Sequence, residues 1–76
     1  MTFLIRPGVP FYSRQLRARA LRMWRIAADL VWARWEALRT AAPENRSAAF
    51  ADYLAALDAE ATAAAALADL HPSQAA

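Results

Sequence analysis

The chain contains no cysteine and no lysine, and only one glycine and one histidine among its 76 residues. Without cysteine no disulfide can staple the fold, and a lone His71 without thiolates cannot build a structural zinc site. A single glycine and a scarcity of β-branched residues argue against a sheet and for helices. No run of about 18 apolar residues is free of charge, so no transmembrane helix is expected. Arg14, Arg17, Arg19, Arg22 and Arg25 would interrupt the apolar stretch of any secretory signal. The first 28 residues hold six arginines and no acid, which superficially resembles a transit peptide. They read better as the basic start of a helix that continues past residue 28, so the chain is expected in the cytoplasm. Alanine-rich, lysine-free composition is associated with a bacterial or phage origin.

Catalytic patterns are missing as well. The sequence has no nucleophile elbow, no phosphate-binding glycine loop, no HExxH and no cysteine-based metal pattern. Its only histidine stands beside Pro72 at a helix end. Ser13 and Ser47 read as helix caps, and Asp58 and Glu60 would point to different faces of one helix. These residues predict no enzyme, no cofactor, no metal and no small-molecule substrate.

What remains is one small helical domain. A chain this short buries only about 60% of its unfolded surface, so oligomerisation or docking is the expected further source of stability. Residues 1–12 (MTFLIRPGVPFY), punctuated by Pro7-Gly8 and Pro10, are expected to form an extended N-terminal arm. Residues 13–70 form the body, with a helix over 13–41 capped by Ser13, a turn over 42–46, and a helix over 47–70 capped by Asn45 or Ser47. Ala42 precedes Pro43 and is biased away from helical geometry. Residues 71–76 should be a frayed tail.

Both helices carry apolar stripes at steps of three and four. The first runs Leu21, Trp24, Ala28, Val31, Trp35, Leu38, Ala42. The second runs Phe50, Leu54, Leu57, Ala61, Ala64, Ala68, with Tyr53 flanking. A short connection folds such helices antiparallel. The fold class is therefore all-α, an antiparallel two-helix hairpin with an N-terminal arm, completed by self-association or by a partner. Its layers should set Leu38 against Phe50, Trp35 against Tyr53 and Leu54, and Val31 against Leu57. Farther from the turn, Ala28 should meet Ala61, Trp24 should meet Ala64, and Leu21 should meet Leu67 or Ala68.

A hairpin has one internal interface, and more apolar residues are present than it can cover. Leu16, Met23, Ala27 and Leu30 form a second stripe on the first helix, with Ile26 farther round and Trp32 on the opposite flank. On the second helix Ala49, Tyr53, Ala56, Leu67 and Leu70 lie outside the expected seam. Contiguous exposed apolar surface of several hundred Å2 usually marks an interaction site. The arm residues, among them Phe3, Ile5 and Phe11, would cover the second stripe or supply a further contact. The expected function is a non-enzymatic protein–protein interaction module in an assembly, or a binding or inhibitor protein. Leu16, Met23, Ala27, Leu30, Phe3, Ile5 and Phe11 are the expected contacts.

Charge divides the chain. Residues 1–40 carry a formal +6, and residues 41–76 carry −4. The simplest expectation is that the acidic second helix neutralises the basic first one, with Asp58, Glu60 and Asp69 beside Arg14 to Arg25. The alternative function is a basic helix that binds nucleic acid through Arg14, Arg17, Arg19, Arg22 and Arg25. Against a membrane surface, Trp24 and Trp35 are already occupied by the seam. Where the arginines point discriminates these readings: internal pairing weakens the nucleic-acid alternative, and an open stripe strengthens it.

Overall fold

The computed structural model describes the backbone of residues 5–70 and the side chains of residues 13–70. It is an all-α hairpin of two helices, α1 over Ile5–Arg39 and α2 over Arg46–Asp69, joined by a single 3-10 turn at Pro43–Asn45. Two contacts fix the pairing as antiparallel. Near the turn, the rings of Trp35 and Tyr53 lie 5.7 Å apart in a tilted arrangement. At the far end, Arg17 Nη2 donates to the Leu70 carbonyl at 3.5 Å.

The expected arm is helical from Ile5 onward, so α1 begins eight residues before Ser13. Pro7 is compatible with this because the first-turn nitrogens of any helix lack an intrahelical acceptor. Pro10 falls one turn later and has no N–H to offer the Arg6 carbonyl. Ser13 consequently lies inside the helix and caps nothing. Asn45 occupies the N-cap of α2, yet its side chain makes no capping bond. Ser47 is already helical there.

The connection follows the proline. Ala42 is extended at φ −67° and ψ 153°, as steric conflict with a following proline ring requires. Asn45 N–H donates to the Ala42 carbonyl at 2.8 Å, closing the 3-10 turn. Thr40 ends α1 by donating from both its backbone nitrogen and its hydroxyl to the Glu36 carbonyl, at 3.1 and 2.9 Å.

Arginines from the opposite helix serve both C-terminal ends. Arg46 Nη2 donates to the Ala41 carbonyl at 3.3 Å, while Arg17 reaches Leu70. Neither α2's first turn nor its last carries a residue of the charge favoured there. A cation brought from α1 to the α2 C-terminus therefore meets the negative end of that helix dipole.

Along the helix axes, the expected register holds at the pair that can be checked directly, Trp35 with Tyr53. Around the axis of α2 the expected seam is displaced by one residue. The residues turned toward α1 are Ala49, Tyr53, Ala56, Glu60, Ala63, Leu67 and Leu70, all buried or half-buried. Phe50, Leu54, Ala61 and Ala68, expected inside, are exposed, and only Leu57 and Ala64 of that stripe remain at its edge. The cause lies in composition. Alanine fills half of α2 and lies on every side of it, so hydrophobicity does not select a face. Small residues at Ala49, Ala56 and Ala63 let the backbones approach, and Ala56, 3% exposed, is the one buried residue among those described.

On α1 the expected seam faces α2. Leu21, Trp24, Ala28, Val31, Leu38 and Ala42 are half-buried, with Trp35 at the rim. The product is a slender rod of 63 × 20 × 16 Å. Its radius of gyration is 17.9 Å, against about 11 Å for a compact chain of this length.

Candidate interaction surfaces

The seam divides the hairpin surface into two sides and two backs. In a right-handed helix each residue advances about 100°. A local two-fold axis normal to the hairpin plane relates antiparallel helices and keeps each side on itself. Residues that follow a seam position therefore share one side in both helices, and residues that precede a seam position share the other.

The preceding side carries the expected partner stripe. Met23 precedes Trp24 and is 54% exposed, and Leu30 precedes Val31 and is also exposed. Leu16 and Ala27 are half-buried at the edge of the seam. The stripe is thus split, with two residues turned toward α2 and two projecting. Ile26, 62% exposed, stands farther round toward the back of α1. Across the seam the same side of α2 offers Asp52, Ala55, Ala59 and Ala66. Phe3 lies outside the described residues, as do the side chains of Ile5 and Phe11.

The following side is richer in large apolar groups. Trp32 follows Val31 and is 65% exposed, and Trp35, one turn on, is partly exposed. On α2, Phe50 follows Ala49 and Leu54 follows Tyr53; both are exposed. By the Trp35–Tyr53 register the four lie within about 9 Å of one another along the rod, in its turn half. Four of the seven exposed large hydrophobics among the described residues form this one patch. Sequence reasoning placed Phe50 and Leu54 in the core and so missed it. The available signal was Tyr53, whose polar-tipped ring already stood beside Trp35 in the expected layers.

No ion pair among the described residues crosses the hairpin. Among the described residues the only ion pair at contact distance lies within α1, between Arg39 and Glu36 at 2.8 Å. The Glu36 carboxylate raises the Arg39 guanidinium above its usual value, through the hydrogen bond first and the charge second. Among the described residues, Asp58, Glu60 and Asp69 form no contact ion pair with Arg14 to Arg25. Asp58 and Asp69 lie on the back of α2, pointing away from α1, and both are exposed. Glu60 lies on the seam, half-buried, at the level of Ala28.

Arg14, Arg19, Arg22 and Arg25 are exposed along the outer surface of α1. Arg17 is the exception: it turns inward to Leu70, and its Nε is buried with no acceptor among the described residues.

Among the described residues no three His, Asp or Glu side chains converge as metal ligands. A depression beside Gln15, Leu16, Ala18, Arg19 and Arg22 is lined, among the described residues, by α1 alone. No helix among the described residues is long and apolar enough to cross a membrane. No protein-family model matches the chain, and no significant match emerges among curated proteins or solved structures.

Proposed function

We propose that this protein acts by binding rather than by catalysis, as a helical hairpin whose uncovered apolar sides dock onto another protein surface. One observation carries the reading. The hairpin buries a single described residue, Ala56, yet leaves Met23, Ile26, Leu30, Trp32, Trp35, Phe50 and Leu54 exposed. At about 25 cal/mol per Å2 of apolar surface removed from water, about half of the stabilisation these side chains can give is unrealised in one copy. Such a hairpin resembles half of a four-helix bundle.

Thermal unfolding followed by circular dichroism tests this. At low concentration and without a partner, the isolated chain should unfold broadly and at modest temperature. A sharp, high melt that is unchanged across a wide concentration range would mean the hairpin is sufficient alone, and would sink the reading.

A second reading has a specific observation behind it. Arg14, Arg19, Arg22 and Arg25 are exposed, and none forms an ion pair among the described residues. An outward row of unpaired arginines suits a phosphate backbone. Retention on heparin or DNA through a salt gradient measures it, and complete release by about 100 mM salt would count against a defined set of phosphate contacts.

A further inference from the structure

We propose that the aromatic patch formed by Trp32, Trp35, Phe50 and Leu54 is a self-association surface, and that its occupant is the same patch on a second copy of the chain. The inference rests on the binding reading above and goes beyond it by naming the face, the partner and the symmetry. It also moves the principal contact away from the Met23 and Leu30 side, where the sequence had pointed.

Area supports a partner of comparable size. The chain exposes 5842 Å2, roughly 1,200 Å2 more than the ~4,600 Å2 of a compact monomer of 8.4 kDa. A standard interface takes about 800 Å2 from each partner. The seven exposed large hydrophobics among the described residues give the hairpin apolar surface for such an interface.

The composition of the patch suits an interface centre, where tryptophan and phenylalanine are enriched and charge is depleted. The two sides differ in this respect. The patch draws large apolar groups from both helices within about two turns of the rod. The opposite side sets Met23 and Leu30 against alanines and Asp52. Only the first offers matched apolar bulk on its two halves, which self-recognition through a two-fold requires.

Symmetry and charge then select the arrangement. A two-fold axis parallel to the rod keeps the turn ends together, so the patches meet at one level. It sets α1 of each copy on α2 of the other, and brings Trp32 and Trp35 onto Phe50 and Leu54 of the second copy. The described part of α1 carries seven arginines against Asp29 and Glu36, whereas α2 carries Arg46 against Asp52, Asp58, Glu60 and Asp69. This axis therefore opposes a basic helix to an acidic one twice. A two-fold running across the rod would set like on like and carry each patch to the far end of its partner. Charges left unmatched inside the hairpin are thus complementary between copies, which favours this orientation.

Sedimentation equilibrium on the full chain tests the proposal, with two double variants that alter opposite sides. The wild type should approach twice its 8.4 kDa mass as concentration rises. Trp32→Glu with Phe50→Glu should remain monomeric, while Met23→Glu with Leu30→Glu should still dimerise. Emission of Trp32 gives an independent readout if the first variant fails to fold. The wild-type spectrum should shift to the blue with concentration, and Trp32→Phe, which keeps the apolar contact, should lose most of that shift. A wild type monomeric throughout would overturn the second copy as occupant. Loss of the dimer in the Met23/Leu30 variant but not in the Trp32/Phe50 variant would overturn the face. If the wild type is monomeric, a broad, concentration-independent melt would leave the binding reading standing with a different partner, whereas a sharp, high one would remove both.

Discussion

The two helices reach the same interface by different means. α1 carries three tryptophans and a stripe of large apolar residues, and its sequence alone indicates which way it faces. α2 is half alanine, so its orientation about its own axis is decided by what it packs against. A helix with a distinct apolar stripe can present that stripe to any partner. A helix apolar on every side settles where the backbones can approach most closely. The difference separates residues that specify from residues that accommodate, and substitutions can widen or close it.

Trp24→Ala should cause the largest loss. Trp24 is half-buried on the seam at the level of Ala63 and Ala64, and alanine cannot refill the space. About 3 kcal/mol of stability should disappear, the lower end for truncating a tryptophan because part of the ring is already wet. A melting temperature unchanged by this substitution would mean that α1 faces another way.

Paired substitutions on α2 come next. Ala56 is buried against α1, so Ala56→Leu forces three extra carbons into a closed contact and should cost about 1–3 kcal/mol. Ala61→Leu, on the exposed following side, should change stability by less than about 0.5 kcal/mol. The seam expected from periodicity predicts the opposite order, with position 61 intolerant and position 56 indifferent. Chemical denaturation of the two variants side by side therefore decides the rotation of α2.

That contrast also marks how far the sequence could be read. The two helices, the position of the turn and the axial register were all legible, because Pro43, the stripe of α1 and a short connection leave few alternatives. The start of α1 was not, since prolines that usually break helices are tolerated near a helix start. The α2 rotation was not, because Phe50 and Leu54 looked like core, whereas the face that packs, with Ala49, Tyr53 and Ala56, carries smaller or polar-tipped groups and alanine lies on every side of the helix. The displaced pair then became half of the exposed group formed with Trp32 and Trp35. The candidate surface was hidden in the sequence because its residues looked like core.

A smaller effect is expected from Arg17→Met, which keeps much of the apolar stem but removes the cation from the α2 C-terminus. The contact to the Leu70 carbonyl is long at 3.5 Å, so the dipole contribution should dominate at about 0.3–1 kcal/mol. The buried Nε, which finds no acceptor among the described residues, loses its desolvation cost in the same variant and offsets part of the loss. A destabilisation beyond about 2 kcal/mol would show that Arg17 acts chiefly by packing.

The smallest effect on the single hairpin belongs to the acids of α2, and it is the most discriminating. Asp58 and Asp69 are exposed and form no ion pair among the described residues. Asp58→Asn with Asp69→Asn should therefore shift the stability of a dilute, monomeric sample by less than about 0.5 kcal/mol. If α1 of one copy lies on α2 of another, the same substitutions should weaken association, and added salt should weaken it in the wild type by screening the opposed helices. Sedimentation at low and high salt separates the two levels. An effect confined to the association constant locates the charge complementarity between copies. Equal effects in the dilute monomer would return it to the hairpin, where no interhelical ion pair among the described residues accounts for it.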